Sequence, residues 1–276
     1  MSEKTSFSSK TLEQLRSWGG PSQLSAFEAM MWLAEADPHL RSTTTSVMVL
    51  DSSPDWGRLV AGHDWTTRAA PRLRQKVMEP AFGLDMPVWV DDPEFLLDYH
   101  LRRVRLPEPG TERQLLDYAQ TLAMTPFDRC RPPWEAVLVE GLENGGAAYI
   151  LKLHHAISDG IGIMQLIAEA LNSSRSGRAF PALKPTRKPR ATSSLELAAK
   201  GAMHRLLDLP HDTSDSMSSL LELAAEWLRK PDAMREAVDY LASAKRMLAT
   251  KPAAGSPILH KRSLGVRFDA IEISLA

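Results

Sequence analysis

The sequence predicts an α/β protein: a mixed sheet flanked by helices, followed by a linker and a helical segment. Three observations carry this. Residues 43–51, "TTTSVMVLD", are β-branched and alternating, which reads as a strand. "PPWEAVLVEGL" and "AAYILKLHHA" are two apolar runs joined around Asn144-Gly145-Gly146, a hairpin signal. Between the strand and the hairpin lie stretches with apolar residues at helical spacing. With 276 residues, 43% of them hydrophobic, the chain can bury one large core or two small ones.

The elements follow in order. Residues 24–36, "LSAFEAMMWLAEA", have helical spacing, and Asp37-Pro38 ends that helix. After the first strand, 55–78 reads as a helix broken near Pro71. "MPVWVDD" at 86–92 is a short strand, and the mixed stretch 95–107 follows it. Thr111 with Gln114 three residues on forms a capping-box pattern, so a helix starts there and Pro126 ends it. The hairpin comes next, and then "IGIMQLIAEALN" as a helix. From Asn172 the chain turns rich in Ser, Pro, Arg and Lys, which reads as an exposed linker. Its charge could meet anionic lipid head groups or CoA phosphates, although a solvated linker is the plainer reading. Helices are expected at 195–207, 217–229 and 231–248, with Pro231 in a first turn. The stretch 256–276 looks strand-like. The domains read as 1–175, a linker at 176–193, a helical segment at 194–250 and a further start at 251–276.

Composition excludes several functions. Lys+Arg is 33 and Asp+Glu is 34, so no global basic field favours nucleic acid. Cys130 is the only cysteine, which rules out an intramolecular disulfide and a Cys-rich metal site and suggests a reducing, cytoplasmic compartment. It lies between Arg129 and Arg131 with no base nearby in sequence, and an incidental thiol is expected. The polar N-terminus has no signal-peptide core, and no apolar run is long enough to span a bilayer. Attachment to a membrane surface stays open.

The stretch "LKLHHAISDGIGIMQL" (151–166) ends an apolar strand in two adjacent histidines. Neighbours on a strand point to opposite faces, so His154 and His155 do not readily share a metal ion. Gly160-Ile161-Gly162 opens a helix after a strand, but Gln165 stands where a dinucleotide fingerprint needs its third glycine. A general base is a third reading: an imidazole titrates near neutrality and can accept a hydroxyl proton if it stands at an opening. A pair of satisfied core histidines beside a turn is an equal alternative on these residues alone.

His154, His155, Asp159 and Gly160 match the His-His-x-x-x-Asp-Gly motif of CoA-dependent acyltransferases and peptide-synthetase condensation domains. The stretch from Arg131 to Ile167 resembles the bacterial wax ester synthase/diacylglycerol acyltransferase family, as does the opening "LSAFEAMMWLAEADPHLRSTTTSVMVLD". The resemblance implies a chloramphenicol acetyltransferase-like fold. It implies His155 as general base for transfer of a fatty acyl group from acyl-CoA to a long-chain alcohol or diacylglycerol. His154, Asp159 and Gly160 would support the site. Pro132, Pro133 and Trp134 stand where the family carries Pro-Leu-Trp and could position the acyl chain, with core packing the rival role for Trp134. Acyl-CoA is a co-substrate; no cofactor or metal is implied. The chain departs from the family at the polar run 42–45, where Met-His is usual. Relatives are much longer and two-halved, with an Asn-Asp motif not found here, so 251–276 would begin a second half that is otherwise missing.

A condensation domain acting on carrier-bound amino acids is a weaker rival, because the linker and helices argue against it. Another is a non-catalytic or partner-dependent half that binds lipid or protein, with a second chain supplying the rest. Leu220, Leu221, Leu223, Ala224, Trp227 and Leu228 form a face for a helical hairpin or a lipid surface. Lipid substrates imply peripheral contact with a membrane or lipid droplet.

Overall fold

The computed structural model describes residues 9–81, 85–143, 145–158, 162, 166, 180–183, 192–207 and 267–270. The chain divides into two compact units, Met1–Ala198 with Leu264–Ala276, and Ala199–Ser263. The sheet and both histidines belong to the first. Of the second, residues 199–207 are described, the end of a helix at Ser194–Leu207. The expected helices at 217–229 and 231–248 lie outside the described residues, as does the apolar face expected on them.

The hairpin is the centre of the fold. Strands at Trp134–Glu140 and Ala147–His154 pair antiparallel, and the second also pairs antiparallel with Thr43–Leu50. A fourth strand, Leu101–Arg105, runs parallel to Trp134–Glu140. Two further short strands, Gln75–Met78 and Val88–Asp91, form a separate antiparallel pair. In chain order these are β1 (Thr43–Leu50), β2 (Gln75–Met78), β3 (Val88–Asp91), β4 (Leu101–Arg105), β5 (Trp134–Glu140) and β6 (Ala147–His154), and the main sheet runs β1-β6-β5-β4. β5 and β6 are buried almost throughout, which explains their near-continuous apolar runs.

The helices are α1 (Ser9–Ser17), α2 (Ala26–Ala34), α3 (Trp56–Ala69), α4 (Leu97–His100), α5 (Glu112–Met124) and α6 (Ser194–Leu207). α5 starts at the expected capping box: Thr111 accepts from the Gln114 N–H, and Gln114 accepts from the Thr111 N–H. Its Leu115 and Ala119 pack on Val137, Val139, Ala148 and Ile150, one face of the sheet. On the other face Leu151 and Leu153 join a core with Leu15, Trp65, Ala69 and Leu73. α2 carries an equivalent box from Ser25 and Glu28 and buries Trp32. α5 ends against two cations: Arg41 donates to the Met124 carbonyl, and Lys152 donates to the Thr125 carbonyl at 2.7 Å. Cations there offset the negative end of the helix dipole.

One expectation needs correction, and one element was not foreseen. α3 does not continue beyond the break at Pro71. It ends at Ala69, a single 3-10 turn spans Pro71–Arg74, and 75–78 is strand β2. Arg72 anchors that turn by donating to the carbonyls of Gly19, Gly20 and Pro21, while β3 supplies the edge on which Gln75–Met78 pairs. The polar N-terminal stretch also contains a helix, α1, held by the burial of Leu15.

Candidate active site

β6 delivers the histidine pair, and the backbone pins each one separately. The His154 N–H donates to the Pro133 carbonyl at 3.0 Å, and Thr43 faces His154 across the sheet. The His155 N–H donates to the Ser42 carbonyl at 2.7 Å, and His155 opens a single 3-10 turn at His155–Ile157. The change from strand to turn separates the two rings. His154 is completely buried, edge-on to Trp32 and Phe127 at centroid distances of 5.1 and 6.3 Å. His155 is half-buried.

The His154 ring bridges two elements. Its Nδ1 accepts the Ala156 N–H at 3.0 Å. An accepting Nδ1 assigns the ring proton to Nε2. Nε2 lies 2.6 Å from Glu35 Oε2, a close polar contact that falls off the line of an ideal hydrogen bond. Among the described residues, Glu35 Oε1 and the buried hydroxyls of Thr43 and Thr45 have no hydrogen-bond partner.

A second polar row lies on the same face of the sheet. Lys152 is 1% exposed, two residues before His154. Its Nζ donates to Thr125, stands 3.3 Å from Glu135 Oε1 and lies 4.1 Å over the Phe127 ring. Glu135 turns its other oxygen to Arg102 at 2.7 Å. Burial pushes the Lys152 pKa down, and the charge and hydrogen bond of Glu135 resist that shift. On the opposite face Tyr149 donates to His63 Nε2 at 2.6 Å, and His63 Nδ1 donates to Leu59 O at 2.8 Å. Burial lowers the His63 pKa and raises that of Tyr149.

Pro132, Pro133 and Trp134 lie beside the pair. Pro133 is buried and supplies the carbonyl that holds His154. The Trp134 ring is buried too, stacked on His100 at 4.7 Å, with its N–H on the Leu73 carbonyl at 2.7 Å. Asp159 and Gly160 lie outside the described residues, and of the expected helix at 161–172 only Gly162 and Leu166 are described. Gly162 accepts a hydrogen bond from the Trp18 ring at 2.8 Å. Cys130 is exposed. Among the described residues, no group of three or more His, Cys, Asp or Glu could hold a metal ion. Glu35, Lys152, Glu135 and Arg102 were not legible as a site. Lys152 alone carried a signal, as the one charge inside the apolar run of β6.

The fold and the site define an α/β protein with a histidine pair at the exit of its central buried strand. The chain belongs to the wax ester synthase/diacylglycerol acyltransferase family, whose catalytic domain matches residues 24–276. A candidate diacylglycerol O-acyltransferase of Mycobacterium tuberculosis is 35% identical over 257 residues, 92% of this chain and 52% of that protein. Another from the same organism, tgs3, is 42% identical over 133 residues, 48% of this chain and 49% of that one. The chain thus spans about half the length of these relatives. Among solved structures it is similar to the wax ester synthase/diacylglycerol acyltransferase of Marinobacter aquaeolei VT8, at 27% identity and TM-score 0.44. That likeness covers 52% of this chain and 37% of the other. It is also similar to the first condensation domain of the calcium-dependent antibiotic synthetase, at 19% identity and TM-score 0.49, over 67% of this chain and 43% of the other.

Proposed function

We propose that the chain carries the acid–base site of an O-acyltransferase that moves a fatty acyl group from acyl-CoA to a long-chain alcohol or diacylglycerol. One observation supports this above the others. Of two adjacent histidines, His154 is wholly buried, with Nδ1 bonded to the Ala156 N–H and Nε2 against Glu35, while His155 is half-buried on a turn. A general base needs that second situation, with orientation fixed by backbone and a ring open to substrate. His155 takes the proton of the acceptor hydroxyl as its oxygen attacks the thioester carbonyl. The carbon–sulfur bond then breaks, and the protonated ring returns its proton to the CoA thiolate. No covalent enzyme intermediate is required. Acyl-CoA is the co-substrate, and no cofactor enters. Asp159 and Gly160 support the loop that follows, and Pro132 to Trp134 brace or guide the acyl chain.

The test is CoA thiol release from palmitoyl-CoA, with and without hexadecanol or a diacylglycerol, beside His155→Ala. Acceptor-dependent release that falls by about 100-fold or more in the variant is expected. A variant of near-normal rate refutes the assignment.

Among the described residues no helix is long and apolar enough to cross a membrane. We place the protein in the cytoplasm, touching a membrane or lipid droplet at its surface to reach its substrates. Flotation with liposomes should carry a measurable share of the protein, and none floating counts against that contact. The further length of the relatives supports a second reading, in which this half binds lipid or protein and reacts only when further polypeptide completes the site. Release that appears only on adding the second half of such a relative would favour it.

A further inference from the structure

We infer that Glu35 is a positioning residue of this site: its carboxylate orients the His154 ring, and the ring in turn holds the turn that presents His155. The inference rests on the reading of His155 as the base.

The location of Glu35 is not explained by its own helix. It is the C-cap of α2, where a carboxylate meets the negative end of the helix dipole. Its side chain is only 9% exposed, and Oε1 has no hydrogen-bond partner among the described residues. A carboxylate placed so unfavourably needs a compensating partner. The polar group against it is His154 Nε2, at 2.6 Å, and the buried Lys152 cation also acts on its charge.

The ring transmits the contact. Packing against Trp32 and Phe127 fixes the plane of the imidazole but leaves it free to flip within that plane. A flipped ring would turn carbon toward the Ala156 N–H. The carboxylate favours the orientation that aims Nε2–H at α2 and leaves the Nδ1 lone pair for Ala156. Two successive N–H groups of the turn are then anchored on different elements: that of His155 on Ser42, and that of Ala156, through His154, on Glu35. Those two anchors fix the backbone of the turn and with it the direction in which the His155 Cα–Cβ bond leaves it.

The test combines imidazole nitrogen NMR on the whole 276-residue chain with transfer kinetics. In the wild type, His154 should show the Nε2–H tautomer. In Glu35→Leu, that signature and the hydrogen-bonded Ala156 amide signal should both be lost. The kcat should fall about ten- to hundredfold, with KM for palmitoyl-CoA changed less than about twofold. Glu35→Gln keeps a carbonyl acceptor, so it should retain the tautomer and most of the rate. It also supplies a folded comparison if the leucine variant fails to fold. An unchanged His154 signature and kcat in Glu35→Leu, or loss of the signature in Glu35→Gln at full rate, overturns the inference. His155→Ala separates the two ideas: it should abolish transfer while leaving the His154 signature intact. Full activity there refutes the base and not the clamp. Where the chain shows no transfer, the signature in Glu35→Leu decides alone.

Discussion

His100 and His154 are equally buried, each lies against a tryptophan, and each makes one backbone hydrogen bond through Nδ1, yet they are opposite in kind. His100 Nδ1 donates to the Trp134 carbonyl at 2.8 Å, so its proton sits on Nδ1. Its ring is stacked between Phe95 and Trp134 at 5.1 and 4.7 Å, and Nε2 has no partner among the described residues. His154 Nδ1 accepts instead, its proton is on Nε2, and that nitrogen faces a carboxylate. The first is an aromatic filler that happens to titrate. The second is a connector between helix and strand. Burial alone does not distinguish them; the direction of one backbone hydrogen bond does.

The largest effect should come from breaking the connector. His154→Ala leaves the Glu35 carboxylate facing a void and should cost about 3–5 kcal/mol in denaturant unfolding, read as a lower midpoint at unchanged slope. His100→Ala removes stacking without stranding a charge, and about 2–3 kcal/mol is expected. A smaller cost for His154→Ala than for His100→Ala would remove the contrast.

Acid should sharpen it. Burial holds the His100 pKa below its ordinary 6.5, and the Trp134 hydrogen bond only partly opposes that. As pH falls below about 6.5, the unfolded chain binds a proton that the folded one refuses, so stability is full above that point and drops below it. The limiting slope is about 1.4 kcal/mol per pH unit for each such residue, and His63 adds in the same direction. His100→Phe should flatten the fall in Tm between pH 7 and 5, and an unchanged slope would assign the acid sensitivity elsewhere. The smallest effect is expected from replacing both ends of the connector. Glu35→Leu with His154→Phe removes the charge together with its partner and should lie within about 1 kcal/mol of wild type, well short of the sum of the single changes.

The sheet was readable in the sequence where local chemistry decided the outcome. β1 alternates, Asn144-Gly145 marks the hairpin, and the box at Thr111 and Gln114 starts α5 in both sequence and structure. β2 was not readable, because Gln75, Lys76 and Met78 all suit a helix and only pairing with β3 makes them a strand. α1 was not readable either, because its apolar residues are few and Leu15 needs a distant core. In the site, the motif picked out His154 and His155, but no local pattern links either to Glu35. That contact exists only once α2 lies against the end of β6.

The register of the sheet also has a consequence for synthesis. β1 pairs only with β6 among the described strands, from Thr43 opposite His154 to Leu50 opposite Ala147. Close to one hundred residues therefore separate β1 from its partner. At ribosomal speeds of about 5–20 residues per second, β1 waits about 5–20 s before β6 emerges. Throughout that wait it is an uncharged eight-residue β-branched segment with no ladder to join. The nascent chain is thus exposed to misassembly at β1 from the emergence of that strand until the strand that carries His154 has been made.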